Sequence, residues 1–355
     1  MPRCAVIDGV TVRRIQEKPR DGGKQGGFLT RTLLFVLRAS VLVAASHLRR
    51  PFQFGHVHSP PDFVAFSALV PRLLGVPFIL DIHDIVPEFY AEKFGVSKSA
   101  LSFKALVGME RLCCRLASHV VVANDIWRGR LLTRSTRPDK ATTILNFPDP
   151  RFFRQFRPKR KSDKFVLMYP GTMSWHQGLD VAIRGMARLA PARADVELHI
   201  YGDGPCEKDL RGLVEQLGLQ KRVLFFAGLP LDQIPDKMID ADLGIIPKRA
   251  RGFGGEAFST KTLEFMALGV PILVSRTMID QFYFDERTVT FFEPESDQDF
   301  AAKVLELAGN PSRREQVATN GLSFISRHNW GLRQTEYLQL VSRLCGRESA
   351  TMAPA

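Results

Sequence analysis

The chain has 355 residues, 45% of them apolar and 24% charged, which excludes disordered, collagenous and coiled-coil classes and suits two domains of ordinary size. Its 49 Lys and Arg against 37 Asp and Glu leave a net charge of +12, unevenly placed: residues 1–160 carry 26 basic and 12 acidic side chains, residues 161–355 carry 23 and 25. The positive excess lies wholly in the first half, a distribution suited to an anionic surface such as acidic lipid, a phosphorylated substrate or nucleic acid. Five scattered cysteines without a C-x-x-C pair point to a reducing compartment and away from structural zinc.

Near the start, Asp8-Gly9 between two alternating apolar runs predicts a tight hairpin at a sheet edge. A polar, glycine-rich loop follows. The apolar stretch 29–48 is interrupted by Arg31 and Arg38, which are expensive in hydrocarbon, so it is read as a helix lying on a core, with a membrane surface as the second choice. Strand-like runs at 52–58, 77–82, 119–123 and 142–145 alternate with helical stretches at 62–74 and 99–116, a βαβ rhythm. The proline- and charge-rich segment 149–164 has no apolar period and reads as a linker. Beyond it, strands are expected at 165–169, 196–201, 222–226, 242–246, 271–275 and 288–292 with helical segments between them. Continuous apolar runs such as VLMY, LHIY and ILVS have no solvated side, so this is a doubly wound parallel sheet. The domain plan is 1–150, a linker at 151–164, a second domain at 165–330, a C-terminal helix at 331–346 and an unpacked tail at 347–355.

In such sheets ligands bind beyond the carboxyl ends of the strands. Those ends carry PGTMSWHQGLD after Tyr169, GDGP after Tyr201, AGLP after Phe226 and PKRARGFGGEAFSTKTLEFMALG after Ile246. One glycine in a βα loop only makes the turn possible. Glycines in four such loops on one edge line a crevice where backbone and helix N-termini can approach an anion. Glu256 and Glu264 flank Ser259, Thr260 and Lys261 in the last loop. Glu264 suits the hydroxyls of a ribose, or equally a surface pair with Lys261 at i,i+3.

The run GEAFSTKTLEFMALGVPIL, with YPGTMSWHQGLD, YGDGP and FAGLP in order, resembles the donor half of a family 4 retaining glycosyltransferase, whose hallmark is E-x7-E. The resemblance covers 165–344 and implies a GT-B fold of two Rossmann-like α/β domains facing a cleft. It implies a UDP- or GDP-sugar donor, with Glu264 on the ribose and Glu256 at the transferred sugar. Gly171, Thr172, Gln177, Gly202, Gly228 and Lys261 line the donor site, Lys261 and the Gly171 turn lying near the diphosphate. No cofactor or metal is expected, since a lysine and N–H dipoles can stabilise a departing diphosphate. The arginine and lysine that many members place after the first glycine are here Thr172 and Gln177. Lys261, or Lys248 and Arg249, would then supply the positive charge.

In the first half, His83 falls where the family places a histidine beside the sugar, although a strand end can also hold a histidine for structure alone. Asp84 and Glu88 are further candidates for the acceptor's hydroxyls. His56 and His58 share one strand face at i,i+2, a spacing open to metal, but with no third ligand evident they are read as structural. Asn146 matches the turn before the crossing to the donor domain, and His176 is placed to reach the cleft. Against the usual pattern the first βαβ unit is missing, about 40 residues by ordinary domain size, so an incomplete first domain is expected.

The function expected is transfer of a hexose to a hydroxyl acceptor with retention, in cell-surface glycan or glycolipid synthesis. The setting is cytoplasmic, with peripheral contact at an anionic membrane and no nucleic-acid partner. The rivals are an inactive remnant that still binds nucleotide sugar, and an oxidoreductase reading in which GFGGEA serves as G-x-G-x-x-A. A lone match of that kind, after the fourth strand instead of the first, is weak.

Overall fold

A computed structural model describes residues 4–16, 25–160, 162–189 and 193–346. The tail expected at 347–355 lies outside the described residues. The chain divides into two units, one of residues 1–144 and 337–355, the other of 145–336.

Unit 1 begins with β1 (Cys4–Ile7) and β2 (Val10–Arg13), paired antiparallel through a turn in which Asp8 and Gly9 both have positive φ, +50° and +79°. This is the primed turn that matches strand twist, as the Asp-Gly pair predicts. The ribbon is not the sheet edge that was expected. It forms a separate two-stranded sheet, with Val6 and Val10 exposed. The main sheet runs β3 (Gly55–Ser59), β4 (Phe78–Ile82), β5 (His119–Val122), β6 (Ala141–Thr143), every pair parallel.

The helix Gln25–Arg49 departs from the core reading. It lies along the turn Asp62–Ala68, yet among its described side chains only Val36, Ala39 and His47 are buried, while Leu33, Leu37, Val41 and Leu48 face outward. Its portion Thr30–Arg49 is long and apolar enough to cross a membrane.

A buried ion network stiffens unit 1. Arg134 donates two hydrogen bonds to Glu88, at 2.7 and 2.9 Å, and two to Glu110, at 2.9 and 2.6 Å. Both carboxylates are buried. Forked geometry of this kind offsets the desolvation of three ions only when every partner stays in place.

Unit 2 holds β7 (Phe165–Pro170), β8 (Val196–Tyr201), β9 (Val223–Phe226), β10 (Leu243–Ile246), β11 (Ile272–Ser275) and β12 (Thr290–Phe292). The order is β12-β11-β10-β7-β8-β9, all parallel. This is the doubly wound order of dinucleotide- and nucleotide-binding sheets, and its direction reverses between β7 and β10. Helices cover both faces: Leu167, Ile183, Leu198 and Phe300 belong to one core, Met168, Phe265, Ile272 and Phe291 to the other.

The segment read as a linker packs on unit 2. Phe153 is buried in its second core, and Arg157 pairs with Asp236 at 2.9 Å and Asp240 at 2.7 Å. Its charges are absorbed by acidic partners some 80 positions on, which an apolar-period reading does not detect. The helix Trp330–Leu344 carries the chain back, its residues from Tyr337 grouping with unit 1. There Leu340 is buried against Ile79 and Val121 of β4 and β5.

Candidate functional site

In unit 2 the loops after β7 and β10 flank the reversal point, where a doubly wound sheet opens its crevice. Gly171 follows β7 with φ +141°, and the Lys261 side chain lies over it: a Cβ there would clash with Lys261 Cε and sit 3.0 Å from Nζ. The Gly171 carbonyl in turn packs directly onto Gly202 of the next loop, and Gly228 lies against Gly202. Side chains at 171 and 202 would part these loops, so the two glycines let the loops after β7 and β8 close against each other with Lys261 lying over the first.

Lys261 stands in the first turn of the helix Thr260–Ala267, whose preceding residue Ser259 makes no side-chain cap. The hydroxyls of Ser259 and Thr262 are buried and have no hydrogen-bond partner among the described residues. Sequence reading noted Ser259 without giving it a role and missed Thr262, and a serine just before an apolar helix is the signal that marks the first of them. A buried donor without a partner costs about 1–3 kcal/mol, and here two of them sit beside a helix N-terminus that favours negative charge. Burial pulls the Lys261 ammonium below the ordinary lysine range, with Glu264 opposing the shift. Burial also raises the Glu264 carboxyl, opposed by Lys261 and by a hydrogen bond from Thr260. Lysine and glutamate are therefore partly desolvated neighbours and not a solvated surface pair. Glu256 ends the short helix Phe253–Glu256 and is half-buried.

Several expected donor residues stand differently. Gln177 belongs to the 3-10 turn Trp175–Gln177, and the helix begins only at Leu179. Its Oε1 is buried with no hydrogen-bond partner among the described residues. Thr172 is exposed, its carbonyl accepting from Tyr169 Oη at 3.0 Å. Lys248 is buried, its Nζ 2.9 Å from Asp280 and donating to the Ala257 carbonyl at 2.8 Å. Arg249 pairs with Asp180 at 2.7 Å and stacks on Trp175. Both are thus engaged by partners within unit 2, whereas Lys261 is the side chain that lies on the Gly171 turn. His176 packs edge-on against Phe253, and burial, then Lys261 and Lys248, lower its pKa. The GFGGEA run forms no dinucleotide turn, for Gly255 packs against the Ala250 carbonyl and the run itself folds into the four-residue helix Phe253–Glu256.

In unit 1 the parallel register sets His58 opposite Asp81. Asp81 Oδ2 lies 3.1 Å from His56 Nε2, 3.2 Å from His58 Nδ1 and 3.3 Å from His83 Nε2. Burial opposes ionisation of Asp81, but hydrogen bonds from His56 and His83 and their charge hold its carboxyl well below the usual range. The hydrogen bond to Asp81 raises His83 in return, whereas burial and His56 lower His58. The structure thus supplies the third ligand-type residue that the His56–His58 spacing lacked. Asp84 is half-buried, and burial raises its carboxyl against the pull of His83. Glu88, expected at an acceptor, is instead closed into the Arg134 network. Asn146 is exposed and belongs to unit 2.

Comparison with known proteins bears on the fold and the family. A family model described as "Glycosyl transferase 4-like domain" matches residues 2–146, and one described as "Glycosyl transferases group 1" matches 151–324. A GDP-mannose-dependent alpha-(1-6)-phosphatidylinositol monomannoside mannosyltransferase of Mycolicibacterium smegmatis is 28% identical over 58% of this chain, and the chain spans 54% of that relative. Sucrose-phosphate synthase from Thermosynechococcus elongatus superposes with a TM-score of 0.79 at 16% identity, covering 98% of this chain and 86% of that one. HepE of Anabaena in complex with UDP gives a TM-score of 0.68 at 17% identity, covering 86% and 82%. With the two models together spanning nearly its whole length, the chain belongs to the GT4 family of glycosyltransferases and has their GT-B fold.

Proposed function

We propose that this glycosyltransferase moves a hexose from a nucleoside diphosphate to a hydroxyl acceptor with retention at the anomeric carbon. The observation that carries the donor reading is the Lys261 side chain lying on Gly171, beside the buried hydroxyls of Ser259 and Thr262, which have no hydrogen-bond partner among the described residues. Cleaving the bond from the anomeric carbon to the diphosphate builds negative charge on the leaving group. The Lys261 ammonium and the N–H groups of the helix Thr260–Ala267 stabilise that charge in a desolvated setting, where it counts most. The residue set needs no metal at the diphosphate. Glu264 takes the ribose hydroxyls and Glu256 those of the sugar, with Gln177, Thr172, Gly202 and Gly228 shaping the walls. His83 and Asp84 of unit 1 are assigned to the transferred sugar and the acceptor.

The acceptor class proposed is a lipid-linked or cell-surface glycan intermediate, met at the cytoplasmic face of an anionic membrane. The basic first half and the outward Leu33, Leu37 and Val41 support this. The relative named for phosphatidylinositol monomannoside supports it too.

The test is a panel of UDP-, GDP- and ADP-sugars scored for thermal stabilisation and slow donor hydrolysis. A ligand at 100 times its Kd adds about 2.7 kcal/mol of apparent stability. A rise in Tm with turnover supports the proposal, a rise without turnover indicates an inactive nucleotide-sugar binder, and no rise with any donor refutes the donor site.

A further inference from the structure

We propose that His56, His58 and Asp81 of unit 1 form a binding site for one divalent transition-metal ion of the zinc class. Their ligand atoms all lie within 4.8 Å of one another. The spacings from Asp81 Oδ2 to His56 Nε2 and His58 Nδ1 are 3.1 and 3.2 Å. Ligands about 2.0–2.1 Å from a tetrahedral zinc are about 3.3–3.4 Å apart, so the two edges are already close to those of a loaded site.

Hydrogen bonding alone does not account for the cluster. Asp81 Oδ2, His58 Nδ1 and His83 Nε2 form a triangle with sides of 3.0, 3.2 and 3.3 Å. Each imidazole nitrogen offers either one hydrogen or one lone pair in its ring plane. With two hydrogens, the N–H groups of His58 and His83 oppose each other. With one, the bare nitrogen faces the carboxylate's lone pairs. With none, both nitrogens repel the oxygen. No assignment satisfies all three sides. A cation resolves the conflict because it makes inward-pointing lone pairs on His58 and Asp81 into ligands.

The surroundings also fit. His56 Nδ1 is 2.7 Å from Tyr337 Oη. An Nδ1–H donated to that oxygen leaves Nε2 bare toward the metal, the outer contact that ligating histidines generally make. His56 and His58 are stacked, with ring centroids 4.5 Å apart, and the parallel strands fix the carboxylate opposite. Two imidazoles and one carboxylate suit zinc or its first-row neighbours better than magnesium or calcium, which prefer all-oxygen shells. Three protein ligands leave one position open, bordered by His83, for water or a hydroxyl group.

The test uses the full chain, freed of any affinity tag and stripped of metal, titrated with Zn2+ by calorimetry and with Co2+ by visible absorption. The expected result is one equivalent bound, with Co2+ bands lacking thiolate charge transfer, so that the five free cysteines are not the ligands. H58A removes a side chain that is 65% exposed, and this variant should fold and bind at least about tenfold more weakly. Y337F should lose affinity by about 10- to 100-fold, as outer contacts to metal ligands do. Less than half an equivalent of metal bound, a thiolate band, or unchanged affinity in folded H58A and H56A variants would overturn the proposal.

Discussion

Gly171→Ala tests the donor site without touching a polar group. A methyl at 171 would collide with Lys261 Cε and lie 3.0 Å from Nζ, so the flexible lysine must leave the glycine turn. The backbone at φ +141° adds about 1–3 kcal/mol of strain, which lowers Tm but is present with and without ligand. Losing one charge-assisted hydrogen bond to a diphosphate costs about 1.5–3 kcal/mol, or about 10- to 150-fold in Kd. Calorimetric titration with UDP and GDP should therefore show G171A and K261M weakened alike. The double variant should be no weaker than either, because both changes remove the same contact. Wild-type affinity in G171A, or additive losses in the double variant, would refute the placement of Lys261.

Lys248→Met should act on stability instead, by about 3–5 kcal/mol, since it strands the fully buried Asp280 carboxylate. A denaturant titration following unit 2 measures that loss. Arg134→Leu leaves buried Glu88 and Glu110 without their shared guanidinium and should cost unit 1 about 3–5 kcal/mol by the same measurement. Asp62 gives a pH dependence: burial raises its carboxyl to about 7, a hydrogen bond from Ser59 opposing the shift. The folded state then holds a proton that the unfolded chain releases near pH 4, so stability is fully present at acid pH and is lost as pH rises toward 7. The loss is of order 4 kcal/mol, and D62N should flatten the slope of Tm between pH 5 and 8. Leu33, Leu37 and Val41 lie at i, i+4 and i+8 on one outward face. Changing all three to Ser should abolish sedimentation with anionic vesicles, and high salt should weaken it in the parent chain.

What the sequence disclosed was whatever is local or periodic. Asp8-Gly9 dictates its own turn, and the six apolar runs of unit 2 announce strands with no wet side. The gathering of the glycine loops was legible because a parallel sheet places every strand's carboxyl end on one edge, so motifs far apart in the chain become neighbours by rule. Pairings that depend on one particular partner were not legible. Glu88 looked available until Arg134, 46 positions later, closed over it. Lys248 looked like a phosphate ligand until Asp280 was seen beneath it. Composition gave the helix Gln25–Arg49 its length but not which of its faces a neighbour would cover. The relation of His58 to Asp81 is a question of register, since a one-residue slip would turn the carboxylate to the other side of the sheet.

The return of the helix Trp330–Leu344 to unit 1 bears on how the protein is made. A ribosome delivers β3 to β6 early, yet Leu340, which covers Ile79 and Val121, emerges only after all of unit 2 has been synthesised. Unit 2 is continuous and can fold as soon as it clears the exit tunnel, while β4 and β5 wait with a bare apolar patch. Nascent chains stalled between residues 150 and 330 should therefore be the ones that holdase chaperones retain, and release should coincide with delivery of the final helix.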